Sequence, residues 1–156
     1  MAIEIIRERP DSPIAQKVIG ELDAELMPLY AIEDRHGYSV EKLLRQQVAF
    51  FVLYYGEEPA GCGGVQFFAD GYGELKRMYI RPAYRRRGLA RIMLEHLERY
   101  AHSHSIPLLR LETGIYQLDA IRLYEGQGYT QVGPFGEYRA TSYSLFYEKR
   151  ILRGEL

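Results

Sequence analysis

Residues 74–97 read ELKRMYIRPAYRRRGLARIMLEHL, and three kinds of sequence follow one another in that run. Residues 72–82, YGELKRMYIRP, pattern as a strand that Pro82 ends, because proline has no N–H for a ladder. From Gly88 the apolar period becomes 3.6, with Leu89, Ile92, Met93, His96, Leu97 and Tyr100 on one stripe of a helix. Between the two lies Arg85-Arg86-Arg87-Gly88. A strand, a basic glycine turn and a helix together make an anion cradle. The first N–H groups of a helix have no internal partner and carry partial positive charge. Gly88 lets the main chain approach an anion without a β-carbon in the way, and small Ala90 keeps the next turn open. Guanidinium forks suit a pyrophosphate. An exposed basic turn that only solvates the surface would explain Arg-Arg-Arg-Gly taken alone; the flanking strand and helix favour the cradle. No Gly-Lys-Ser/Thr follows, so this is not a Walker loop.

Outward from this unit the chain reads as a single α/β domain over residues 1–156. IEIIRER (3–9) patterns as a first strand. Asp11 or Ser12 can cap a helix with Pro13 in its first turn and Ile14, Val18, Leu22 and Leu26 along one face. Residues 27–39, MPLYAIEDRHGYS, carry Pro28 and Gly37 and read as a loop, after which Ser39 can cap VEKLLRQ (40–46). VAFFVLYY (48–55) and AGCGGVQFFA (60–69) are β-rich runs around a turn at GEEP (56–59). Beyond the central helix come a short buried strand, PLLRLET (107–113), and an amphipathic helix, QLDAIRLYEGQG (117–128). YTQVG (129–133) and SYSLFYEKR (142–150) close the chain as strands. The expected fold is one mixed, mostly antiparallel central sheet flanked by helices.

Composition narrows the function classes. With 47% apolar and 26% charged residues and a net charge of -1, the chain has the balance of a soluble globular protein. A general nucleic-acid or membrane-surface binder would be clearly basic, so neither partner is expected. One cysteine, Cys62, permits no intrachain disulfide, and acidic residues stand near the N-terminus where a signal peptide needs positive charge. No run reaches the roughly 18 apolar residues of a membrane span. A cytoplasmic protein is expected.

Two motifs resemble those of the GCN5-related N-acetyltransferases (GNAT). Arg85-Arg86-Arg87-Gly88-Leu89-Ala90 fits the pattern Arg/Gln-x-x-Gly-x-Gly/Ala. LETGIYQLDAIRLYEGQGY (111–129) is similar to the second motif, a helix carrying Ala-x-x-x-Tyr that ends in Gly-Phe/Tyr. Together they cover residues 74–129, and both occur in order. The resemblance implies acetyl-coenzyme A as cosubstrate, with its diphosphate on the Arg85–Ala90 turn and no metal. It also implies a pantetheine arm paired with the backbone of Met78, Tyr79 and Ile80, and contacts from Gln117 and Ala120. At Gln117 relatives often carry asparagine, one methylene shorter.

Acetyl transfer from a thioester to an amine needs a polarised carbonyl, a neutral amine and a protonated leaving thiolate. A main-chain N–H of Ile80 or Met78 is the candidate polarising group. Tyr124 is the candidate acid: a phenol with a reference pKa near 10 is protonated at neutral pH and can donate to a thiolate near 8.5. The competing reading is a plain core tyrosine. For the base, Glu74 comes first and Glu112 second, and either serves equally as a salt-bridged strand-end residue. The acceptor pocket is expected from segments that the motifs leave free, with Tyr30, Arg35 and His36 on one side and Phe135 and Tyr138 on the other. Arg35 or His36 would hold the carboxylate of an amino-acid-like acceptor; Asp34 would hold an amine. His102 and His104 have no neighbouring cysteine or acidic cluster, so no metal site is expected there. Cys62 reads as a small buried residue.

Three function classes follow. The leading one is an N-acetyltransferase acting on the primary amine of a small molecule, with a homodimer as a possible assembly. The second is a non-catalytic acyl-coenzyme A sensor on the same fold, against which an intact Tyr124 counts. The third is a basic-turn module for RNA or an acidic protein, disfavoured by the near-neutral net charge.

Overall fold

Apolar side chains alternate along residues 48–53 and so build both sides of a sheet. Val48, Phe50 and Val52 belong to one core cluster, and Ala49, Phe51 and Leu53 to another. That is the period of two expected of a strand buried on both faces. The computed structural model describes residues 2–31 and 38–152. Its strands are β1 (Ile3–Arg7), β2 (Ala49–Tyr55), β3 (Glu58–Phe68), β4 (Tyr72–Ile80), β5 (Leu108–Gly114), β6 (Thr130–Val132) and β7 (Ser144–Arg150). Its helices are α1 (Pro13–Leu26), α2 (Val40–Arg45), α3 (Leu89–Ser103) and α4 (Leu118–Gly126), with a short 3-10 turn at Pro82–Tyr84.

The strands form one sheet in the order β1-β2-β3-β4-β5-β7-β6. Every neighbouring pair is antiparallel except β4 with β5, as the sequence led us to expect of a mixed sheet. Ala15, Val18, Ile19 and Leu22 of α1 and Leu43 of α2 pack on one face with Phe50, Val52, Cys62 and Tyr79. Leu89, Met93, Leu94, Leu97 and Ala101 of α3 cover the other, with Phe51, Leu53, Val65, Leu75 and Tyr124. Two helical layers therefore sandwich the sheet. Ser12, not Asp11, caps α1, its hydroxyl accepting from the Ala15 N–H at 3.1 Å.

Two elements depart from the sequence pattern. β3 starts at Glu58, inside the expected GEEP turn, because Gly56 takes φ +64° and Gly56-Glu57 closes the hairpin in two residues. β6 shortens to three residues, and β7 inserts between it and β5.

β4 also carries a bulge. Lys76 pairs with Gly64 and Tyr79 with Cys62, so Arg77 and Met78 together oppose Gly63. Arg77 takes φ +55°, a left-handed conformation unusual for a long side chain. Its guanidinium is held by Asp23 of α1. The bulge shifts the strand's register just where the sheet opens.

Candidate active site

Pairing between β4 and β5 covers only Gly73 with Leu109 and Glu74 with Arg110. Past these residues the strands part. Leu75, Lys76, Arg77 and Met78 line one side of a cleft of about 360 Å³, and Leu111, Glu112, Thr113 and Gly114 line the other. Gln117, Ala120 and Tyr124 of the α4 segment line it too, as do Tyr30, Tyr38 and Tyr138.

The open edge of β4 is a row of main-chain groups. The Arg81 N–H donates to Ala60 O at 2.8 Å, on the β3 side. Successive N–H groups of a regular strand point to opposite edges, so that of Ile80 faces away from β3, while Met78 sits in the bulge that borders the gap. They are the groups expected to meet a pantetheine arm. The side chain of Tyr79 turns away from the cleft, its hydroxyl 3.3 Å from a Glu21 carboxylate oxygen, and only its backbone is available.

The cradle lies where β4 runs into α3. Gly88 occupies the N-cap position with φ +75° and no side-chain cap, so the first N–H groups of α3 are open to an anion. A β-carbon at Gly88 would meet nothing closer than an Arg91 nitrogen at 4.0 Å. The space above the turn is open. The three arginines are not equivalent in their surroundings. Arg85 donates from Nε to Ile80 O at 2.8 Å and from its terminal nitrogen to Glu25 at 2.7 Å. It staples α1 to the end of β4. Arg87 lies over the rings of Tyr55 and Tyr84, and Arg86 is exposed. The side chain of Leu89 is buried in the core, leaving its backbone to serve, while Ala90 is half-buried beside it.

Tyr124 lines the cleft with its ring packed edge-on against Tyr129, centroids 5.8 Å apart. Burial first, and the Glu112 charge second, raise its pKa well above the ordinary phenol value. The phenol stays protonated at neutral pH. Gln117 stands at the N-cap position of α4 without capping it through its side chain, and its Oε1 accepts from the Gly114 N–H at 3.0 Å. Its carbonyl oxygen is thus spent on the β5–α4 turn.

Glu74 is buried in an ion pair. Its Oε2 accepts from Lys76 Nζ at 2.8 Å and from the Tyr138 hydroxyl at 2.5 Å. Glu112 also faces the cleft and accepts from the Ser144 hydroxyl at 2.9 Å. Its charge is felt at Tyr30, Tyr124 and Tyr138, raising the pKa of each, and at Lys76, which it opposes lowering. Tyr30 is fixed by the Tyr116 N–H, which donates to its hydroxyl at 3.0 Å. Phe135 does not line the cleft: it stacks behind Tyr138 at 5.2 Å and packs against Tyr72 and Phe146. Arg35, His36 and Asp34 lie outside the described residues.

Lys76, Tyr38 and Gly114 did not stand out in the sequence. A signal existed for Lys76: Glu-x-Lys within a strand puts both charges on one face. Among the described residues no group of three or more His, Cys, Asp or Glu side chains is placed to hold a metal ion. No helix among them is long and apolar enough to cross a membrane.

The sheet is thus split between two parallel strands beside a helix N-terminus with no side-chain cap. The profile of the acetyltransferase (GNAT) family matches residues 17–129. The chain belongs to that family, whose members use acetyl-coenzyme A as acyl donor. It is 37% identical to an IAA acetyltransferase of Azospirillum brasilense over 150 residues, 96% of this chain and 98% of that one. It is 30% identical to a thialysine N-epsilon-acetyltransferase of Caenorhabditis elegans, covering 83% of this chain and 84% of the other. A solved structure from Klebsiella pneumoniae, provisionally described as an acyl-CoA N-acyltransferase, superposes with a TM-score of 0.81 at 31% identity. That match covers 96% of this chain and 98% of the other.

Proposed function

We propose that this enzyme transfers acetyl from acetyl-coenzyme A to a primary amine of a small molecule. The observation that carries this reading is that Tyr124 and Glu112 both line the cleft where β4 and β5 part. Acetyl-coenzyme A supplies the activated acyl group; the protein's own groups do the rest. The N–H groups at the start of α3, with Arg86 and Arg87, hold the diphosphate. The Ile80 and Met78 N–H groups align the arm and polarise the carbonyl oxygen. Tyr124 keeps its proton because burial disfavours the phenolate, and it donates to the sulfur as the C–S bond breaks. The same shift makes it a weaker acid, so its hydrogen bond to the sulfur counts alongside full proton transfer.

Glu112 is assigned the base in preference to Glu74. Glu74 is bound to Lys76 and Tyr138 away from the proposed acid, whereas the charge of Glu112 acts on Tyr124 itself. The acceptor enters over Tyr30, Tyr38 and Tyr138. An amino-acid-like acceptor is a narrower form of this reading, in which Arg35 or His36 meets its carboxylate. A screen of primary amines with acetyl-coenzyme A, read by released thiol, tests the proposal. Acetyl transfer to an amine supports it. Coenzyme binding with no amine acetylated would turn the assignment to a sensor.

A further inference from the structure

Lys76 is a charge that the transfer reaction does not use. Its side chain and that of Glu74 are each 5% exposed. Burying an ammonium costs several kcal/mol after relaxation unless partners offset it. Burial lowers the Lys76 pKa, and Glu74 opposes that shift most strongly. The partners that keep it charged come from three separate stretches of chain. Glu74 of β4 accepts at 2.8 Å and the Tyr138 hydroxyl at 3.3 Å, and the ring of Tyr38 lies with its centroid 3.7 Å from Nζ. Tyr138 in turn donates to the same Glu74 oxygen at 2.5 Å. All four residues line the cleft.

An ammonium has three protons. Here a carboxylate, a hydroxyl and a ring face meet them, so Lys76 holds the wall and does not receive a ligand. The core does not need the charge, since apolar side chains of similar volume replace buried ion pairs with little loss of stability. What the charge adds is direction. It fixes one placement of Tyr138, which lies in the 133–143 connection, and of Tyr38, next to the Ser39 cap of α2. We propose that Lys76 is a positioning residue for acceptor selection: the Glu74–Lys76 pair ties Tyr138 and Tyr38 to β4 and so sets the shape through which an amine reaches the thioester. This rests on the reading that the tyrosine-lined end takes the acceptor.

The test uses Lys76→Met, which keeps an unbranched chain, and the double variant Lys76→Met/Glu74→Gln, which leaves no lone buried charge. Coenzyme A affinity is measured by calorimetry, backbone hydrogen exchange over residues 133–143 by mass spectrometry, and acetylation of n-butylamine, tyramine, L-lysine and thialysine by thiol release. In both variants the coenzyme A dissociation constant should stay within two-fold of the parent. Exchange in 133–143 should rise ten-fold or more, and kcat/KM ratios among the amines should change at least ten-fold, through KM. Unchanged exchange in a folded variant overturns the proposal, as does a loss of coenzyme affinity that parallels the loss of activity. Faster exchange with unchanged amine ratios also overturns it. If the parent acetylates none of the four amines, exchange alone decides the tie, and the acceptor reading fails separately.

Discussion

Tyr30 lies directly over Gly114, so that a β-carbon on Gly114 would fall inside the contact distance of the Tyr30 hydroxyl. The end of β5 has to be glycine for the tyrosine to reach the Tyr116 N–H. One wall of the proposed acceptor pocket is therefore set by a side chain that is missing. Gly114→Ala should displace Tyr30, cost about 1–3 kcal/mol by overpacking and raise the acceptor KM. Tyr30→Phe keeps the ring, loses one hydrogen bond, and should cost about 0.5–1.5 kcal/mol. Urea denaturation and acceptor titrations measure both.

Gly88 makes a different demand. Its φ of +75° puts an added side chain under strain of roughly 1–2 kcal/mol even though the space is open. Gly88→Ala should melt earlier and bind coenzyme A at least ten-fold more weakly, about 1.4 kcal/mol. Gly128, also left-handed at φ +91° but lying past the C-terminal end of α4, is the control. Gly128→Ala should lose similar stability and bind coenzyme A like the parent. Equal affinity for the two variants by calorimetry would remove Gly88 from the cradle.

Tyr124→Phe separates catalysis from packing. The ring against Tyr129 remains and only the oxygen goes. General acid catalysis is worth about 10²–10⁴-fold, roughly 3–5 kcal/mol of barrier. Turnover should fall within that range while coenzyme affinity and melting temperature change little. Parent-like turnover with chemistry rate-limiting would leave Tyr124 as a core residue.

His96 predicts a pH dependence of stability unrelated to the active site. Its Nε2 is buried without a hydrogen-bond partner among the described residues, and Phe51 packs edge-on at 4.5 Å. Burial, then Arg99, lowers its pKa below the ordinary 6.5. The unfolded chain therefore binds the proton more readily. This stabilisation is present in full above the unfolded pKa and is lost as pH falls through the folded one. Urea midpoints at pH 8 and pH 5 should differ less in His96→Leu than in the parent. An equal difference in both proteins would assign the acid sensitivity elsewhere.

The strand, turn and helix around Arg85–Ala90 were legible in the sequence because their signals are local: Pro82 stops a strand, Gly88 starts a helix, and apolar residues recur every third or fourth position. The start of α1 was legible the same way, with Asp11 or Ser12 as its cap; Ser12 makes it, through a residue three positions on. The place of Tyr124 was legible only through its motif, since its helix stripe looks like any other.

Other features depended on which strands become neighbours. β4 and β5 are joined by a helix and pair at just two positions, and that short pairing opens the cleft. Burial and partner choice at long range decided the roles within it. Glu74 and Glu112 look alike as strand carboxylates, yet one meets a lysine two residues away and a tyrosine 64 residues on, and the other a serine 32 residues on. Arg85 reads as the first arginine of a phosphate turn, yet a glutamate 60 residues earlier takes its guanidinium. Local sequence determines backbone conformation because torsions and nearest-neighbour hydrogen bonds act within a few residues. Which partner each charge meets is a property of distances that only the folded chain sets.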